Sequence, residues 1–114
     1  MIAQRTKDQR VNYIAVVTGA STGIGRAFAY ELARNGHGLL LTALPDSGLP
    51  SVAEEISKYF GVHIDYIETD LTRSIGIESI IESAYTMENR GMFIDFLVNN
   101  AGITRDGLIF RMKA

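Results

Sequence analysis

The sequence predicts an α/β fold: a doubly wound parallel sheet of strand order 3-2-1-4 with helices on both faces. Three observations carry this. Short apolar runs alternate with helical patterns in the order β-α-β-α-β-α-β, and strand–helix–strand units build parallel sheets. Two of the runs, Leu39–Leu41 and Phe96–Val98, are continuously apolar, as strands covered on both faces are. Right-handed crossovers, with the winding reversing at the first strand, then set that strand between the second and the fourth.

The elements follow in order. Residues 1–12 are polar, with Arg5, Lys7 and Arg10, and are expected to form a flexible leader. Tyr13–Thr18 is the first strand and Gly19–Gly25 a glycine-rich turn. Ile24, Ala27, Phe28 and Leu32 recur at helical spacing, and Asn35-Gly36 supplies the stop. Leu39–Thr42 is the second strand, and 44–50, with two prolines and a glycine, is a loop. Ser51 and Glu54 have the spacing of a capping box. They predict a second helix with an apolar face of Val52, Ile56, Tyr59 and Phe60, closed by Gly61. Val62–Glu68 is the third strand. Ile77, Ile80, Ile81 and Ala84 mark a third helix ending near Arg90-Gly91. Phe93–Val98 is the fourth strand, interrupted by Asp95, for which the pattern allows either a backbone cap or a wet strand end.

Composition excludes several classes of function. A chain of 114 residues holds one ordinary core. Apolar residues at 46% and charged residues at 21% exclude disorder as the main state. A net charge of -2 lacks the basic footprint of a nucleic-acid binder. The absence of cysteine removes disulfides, thiolate catalysis and thiolate zinc sites. His37 and His63 have no ligand-spaced partner and read as structural or surface residues. The apolar run from Tyr13 to Val17 is too short for a signal core or a membrane span. The chain is therefore expected to be cytoplasmic, without nucleic-acid or membrane partners.

The strongest chemical signal is Thr18-Gly19-Ala20-Ser21-Thr22-Gly23-Ile24-Gly25. It follows a strand and opens a helix. Glycines let a pyrophosphate approach the backbone, and the helix start offers unpaired N–H groups to an anion. Ser21 and Thr22 add hydroxyls. No Gly-Lys-Ser/Thr follows, which disfavours a mononucleotide P-loop. The pattern is thus that of a dinucleotide site, one residue longer than the standard glycine fingerprint.

These residues resemble the cofactor motif of the short-chain dehydrogenase/reductase family. Asn99-Asn100-Ala101-Gly102 resembles that family's second signature, and Asp70-Leu71 the pair that frames the adenine ring. The segment Gly102–Lys113 is similar to a narrower group, the 3-oxoacyl-[acyl-carrier-protein] reductases of fatty acid biosynthesis. The resemblance implies a Rossmann-like half-domain over 13–114, incomplete relative to the family fold. It implies cofactor contacts from Gly19, Ser21, Thr22, Gly23, Ile24, Gly25, Ala43, Leu44, Asp70, Leu71, Asn99, Ala101 and Gly102. An acid at the end of the second strand would mark NAD. Thr42, Ala43 and Leu44 stand there and none is acidic, so the expected cofactor is NADP, although neither Leu44 nor Thr22 is basic. Asp46, three residues on from Ala43, reads either as a displaced clamp for the ribose or as a solvated loop residue.

The family's proton donor is a Tyr with a Lys four residues on. Here Tyr13 is followed at that place by Val17, Tyr30 by Arg34, Tyr59 by His63, Tyr66 by Asp70 and Tyr85 by Asn89. No catalytic residue is therefore assigned. The expectation is the cofactor half of a carbonyl reductase, inactive as 114 residues, with an acyl-thioester substrate for the parent protein. The rival expectation is a catalytically silent dinucleotide-binding or assembly module. Too few residues follow Val98 for another helix and strand, so the fourth strand is expected to leave an apolar edge. That edge implies a homo-oligomer or a missing C-terminal half.

Overall fold

The computed structural model describes residues 13–100 and the backbone of 108–111. The predicted leader, 1–12, lies outside the described residues. Strands β1 (Tyr13–Thr18), β2 (Gly38–Ala43), β3 (Ile64–Glu68) and β4 (Phe93–Asn99) alternate with helices α1 (Gly23–Arg34), α2 (Leu49–Phe60) and α3 (Ser74–Asn89). A last strand, β5 (Leu108–Arg111), follows. The sheet order is β3-β2-β1-β4-β5. The parallel order 3-2-1-4 is as expected, with β1 pairing in parallel to both β2 and β4.

The fifth strand corrects the expectation of a four-stranded sheet with a bare edge. β5 runs antiparallel to β4, with Asn99 opposite Leu108 and Phe96 opposite Arg111. A parallel neighbour would need a crossover of a dozen or more residues, but an antiparallel return needs only a loop. The edge of β4 is therefore paired.

The sheet separates two apolar layers. Ala15, Val17, Leu39 and Leu41 pack with Ala29, Leu32 and Ala33 of α1 and with Leu49, Val52, Ala53 and Ile56 of α2. On the opposite face Ile14, Val16 and Leu40 pack with Met87 of α3. Every residue of β2 is buried, which explains its uninterrupted apolar run.

Three details of the helices differ from the sequence pattern. First, α2 begins at Leu49 with Gly48 as its N-cap, and no side chain caps it. Proline fits the first helical turn because its missing N–H has no intrahelical partner there. Pro50 therefore sits inside the helix, and Ser51 and Glu54 form no capping box. Second, α1 buries Gly25, Ala29, Leu32 and Ala33, while Ile24 and Ala27 are exposed. Small residues on the packed stripe bring the helix axis close to the sheet. Third, Tyr59 is 78% exposed, and α3 leaves Ile77, Ile81 and Tyr85 at 49%, 49% and 64% exposure. These last three are spaced i, i+4, i+8, an apolar stripe beside the buried side of the helix.

Asn35-Gly36 ends α1 as expected. Gly36, at φ 90, lets its own amide reach Ala33 O at 2.9 Å and that of His37 reach Leu32 O at 3.0 Å. This places His37 in the interior, 0% exposed, with Nε2 3.2 Å from Asp95 Oδ2. Asp95 is 2% exposed and so is not at a wet strand end. The β1–β4 register shifts between Ile14 and Ala15, so that Ile14 faces Ile94 but Ala15 faces Phe96. Asp95 is thus the extra residue of a bulge. The bulge sends Ile94 to the α3 layer and Phe96 to the α1–α2 layer, where strict alternation would put both on one face. His63, by contrast, is exposed and pairs with Asp65 at 2.8 Å.

Asp95→Ala leaves His37 Nε2 buried without this partner. The substitution is expected to lower unfolding free energy by about 1–3 kcal/mol, read as a shift in urea midpoint. The double variant His37→Leu/Asp95→Leu should recover part of that loss, because removing both polar groups costs less than orphaning one.

Candidate functional site

The strand order brings the C-terminal ends of β1 and β4 together with the start of α1, at the point where the winding reverses. Thr18, the last residue of β1, organises the junction. Its hydroxyl donates to Asn99 Oδ1 at 3.1 Å and accepts the Asn100 amide at 2.8 Å. Asn100 Nδ2 in turn donates to Gly19 O at 3.4 Å. Asn99 and Asn100 thus hold the end of β4 against the glycine turn.

The turn works through two different glycine properties. Gly19 and Gly23 have φ of 62 and 59, where a side chain is strained. Gly25 has ordinary φ but no room: a Cβ there would lie 2.0 Å from Gly19 O and 2.9 Å from Asn100 Nδ2. The helix therefore starts against the turn itself. Thr22 is its N-cap but makes no side-chain cap bond. The amides of the first turn have no intrahelical acceptor and remain available to an anion.

From this junction a cleft of about 840 Å³ runs over the ends of β1, β2 and β3. Of the predicted residues, Gly19, Ser21, Thr22, Ala43, Leu44, Asp70 and Leu71 line it. Gly23, Ile24 and Gly25 form the helix start behind the turn, and Ile24 is exposed. Asn99 ties Thr18 at the junction. Ala101 and Gly102 lie outside the described residues. Asn100, Thr42, Ser47, Thr69 and Thr72 also line the cleft and were not among the predicted contacts. Asn100 carried a signal, as the second member of the Asn99-Asn100 pair. The hydroxyl residues carried none, since isolated Ser and Thr at strand ends are common.

At the far end, Asp70 Oδ1 accepts the Thr72 amide at 2.9 Å and the Thr72 hydroxyl at 2.6 Å. The Thr72 hydroxyl, its amide and the nearby Arg73 hold the Asp70 carboxyl below its ordinary range. Gly76 lets α3 lie against this turn, since a Cβ there would be 2.3 Å from Asp70 O. The connection after β2 is pinned by the Asp46 amide, 3.2 Å from Glu68 Oε2, and by Ser47 Oγ donating to Leu44 O at 2.6 Å. Among the described residues no group of acidic residues and histidines is placed to hold a metal.

A cleft of this shape suits a dinucleotide. The helix start presents free amides, and the glycines of the turn leave room beside them for an anion. Thr42 is buried in the wall, and its Oγ1 has no hydrogen-bond partner among the described residues. The fold and the cleft are those of the Rossmann class of α/β proteins.

Residues 13–114 match the family described as short chain dehydrogenase, and the chain belongs to that family. It is 45% identical over 102 residues to the 3-oxoacyl-[acyl-carrier-protein] reductase of Escherichia coli, covering 88% of this chain and 38% of that protein. The reductase of the same name from Aquifex aeolicus is 40% identical over 100 residues, covering 88% and 39%. Among solved structures, L-sorbose reductase from Gluconobacter frateurii, complexed with NADPH and L-sorbose, superposes with a TM-score of 0.71 at 34% identity. That match covers 79% of this chain and 33% of the other. An alcohol dehydrogenase from Thermococcus sibiricus complexed with 5-hydroxy-NADP gives 0.70 at 36% identity, covering 80% and 37%. The chain thus spans under two fifths of the length of these relatives.

Gly25→Ala forces a Cβ onto the Gly19 carbonyl and is expected to cost about 1–3 kcal/mol. Gly23→Asn meets open space and a backbone region that Asn tolerates, so it should cost less than about 1 kcal/mol. Urea denaturation of the two variants compares them directly.

Proposed function

We propose that this chain is the cofactor-binding half-domain of an NADP-dependent oxidoreductase, whose parent protein reduces the keto group of a 3-oxoacyl thioester. One observation carries the reading: the glycine turn and Asn99–Asn100 meet at the winding reversal, at one end of a cleft that leads to Asp70. When bound, the nicotinamide supplies the hydride. The chain's own residues hold the cofactor. The turn and the first amides of α1 take the pyrophosphate, Ala43 and Leu44 border the adenosine ribose, and Asp70 and Leu71 border the adenine. Asn99 borders the nicotinamide. The substrate class and the cofactor rest on the likeness to the 3-oxoacyl-[acyl-carrier-protein] reductases and to the NADPH-bound relatives.

The chain holds no Tyr-x-x-x-Lys pair, and a positioned general acid contributes about 10²–10⁴-fold to such a reaction. Residues 1–114 alone should therefore bind NADPH in a calorimetric titration and show no reductase turnover. Gly25→Ala should abolish the binding. A turnover rate that persists through repeated purification of mass-verified protein, or wild-type protein that takes up no cofactor, would count against the proposal. The glycine turn and its cleft are also compatible with a second reading, a silent dinucleotide-binding or assembly module. Intact mass of the isolated protein against the gene's reading frame separates the two.

Self-association belongs to the same proposal. β4 is paired, so the support comes instead from the exposed Ile77, Ile81 and Tyr85 of α3. Light scattering after size exclusion should find oligomers, and Ile77→Glu with Ile81→Glu should yield monomer. A cytoplasmic location is proposed as well; no helix among the described residues is long and apolar enough to cross a membrane.

A further inference from the structure

The end of α1 carries chemistry that the cleft does not use. Asn12, Asn89, Asn99 and Asn100 are followed in the chain by Tyr, Arg, Asn and Ala, and Asn35 alone precedes a glycine. An asparagine amide is thermally labile, because the backbone nitrogen of the next residue can attack it. A side chain on that next residue obstructs the attack, and glycine has none. Asn35 and Gly36 are half-buried, so water reaches them.

The fold keeps the two reacting groups apart. The Asn35 side chain turns back along the helix, with Nδ2 donating to Glu31 O at 2.8 Å. The Gly36 amide, which would be the nucleophile, donates to Ala33 O at 2.9 Å, and the His37 amide donates to Leu32 O at 3.0 Å. His37 is buried, with Nε2 3.2 Å from Asp95 Oδ2. While that pair is in place, the chain beyond Gly36 is not free to swing toward the Asn35 side chain.

We propose that Asn35-Gly36 is a latent site of spontaneous deamidation, kept dormant by the closed end of α1, whose conversion loosens the seat of His37. In the reaction the Gly36 nitrogen bonds to Asn35 Cγ and the bond from Cγ to Nδ2 breaks. The proton of the Gly36 amide goes to the departing nitrogen, which leaves as ammonia, and a succinimide ring remains. Water then opens the ring. Attack at Cγ gives aspartate, and attack at the backbone carbonyl gives an isoaspartyl link through the side chain. One water is consumed, one ammonia is released and nothing is oxidised or reduced. Aspartate lacks the donor to Glu31 O and sets a second negative charge beside the Glu31 carboxylate, at the negative end of the helix dipole. The isoaspartyl link adds a backbone atom before Gly36 and draws the Gly36 and His37 amides out of line with Ala33 O and Leu32 O. Conversion thus favours the open end that allowed it.

The test is peptide mapping by mass spectrometry of the whole chain, incubated in mildly alkaline buffer with and without denaturing urea. Isoaspartate is scored by enzymatic methylation. In urea, residue 35 should convert at least about tenfold faster than in the folded chain, which reacts only from its locally opened state. In buffer, Asp95→Ala should convert about three- to tenfold faster than wild type, because His37 loses its anchor. Asn35→Asp carries one product from the start and should unfold at a lower urea concentration than wild type, a reading that stands even where Asp95→Ala does not fold. No conversion in urea, or equal rates with and without it, would overturn the proposal. So would a folded Asp95→Ala chain that converts no faster than wild type, or an Asn35→Asp chain with the wild-type urea midpoint.

Discussion

The architecture of the site depends on how closely a helix start can approach two strand ends. At Gly25 the backbone of α1 comes so near the Gly19 carbonyl that even a methyl group is excluded. The Thr18 hydroxyl fixes the other side of the same junction, acting as donor to Asn99 and acceptor for Asn100. A hydroxyl suits this place because it can do both at once. Without these contacts β1 and β4 would still pair, but the turn would not be held at their ends and the cleft would have no floor.

Much of this arrangement was legible in the sequence, and the failures have physical causes. The glycine turn and the order 3-2-1-4 follow from local periodicity and the handedness of crossovers, which act over short stretches. The start of α2 was misread because Ser51 and Glu54 imitate a capping box, while Pro50 is equally content inside a first turn. The helix α3 was legible but its buried side was not, because its isoleucines are more numerous than its buried positions: Gly76 and Met87 are buried, and Ile77 and Ile81 are not. Asp95 could not be placed, since its partner His37 is 58 residues away and the bulge that turns it inward leaves no mark in composition. In the site, the glycines and Asp70 announced themselves. The hydroxyl residues of the cleft did not, because only packing brings Thr42, Ser47, Thr69 and Thr72 to one wall.

The two faces of the sheet are covered unequally. On one, α1 and α2 lie side by side, joined by Arg26, Tyr30 and Glu55 and sealed by a large apolar layer. On the other, α3 stands alone among the described residues, and its apolar surface extends past the area the sheet can cover. The cleft crosses the ends of β1, β2 and β3, and its walls inherit this asymmetry. The glycine turn and the 44–48 connection belong to the well-packed face. The Asp70–Thr72 turn depends on Gly76 and hence on how α3 is seated.

The strand β5 has a consequence for any continuation of the sheet. An edge offers one row of amides and carbonyls, and a single neighbour can use it. Here an antiparallel return holds that row from Phe96 to Asn99. A further parallel strand following the same winding would need the same atoms. The two arrangements would compete for one berth, and in this structure β5 holds it.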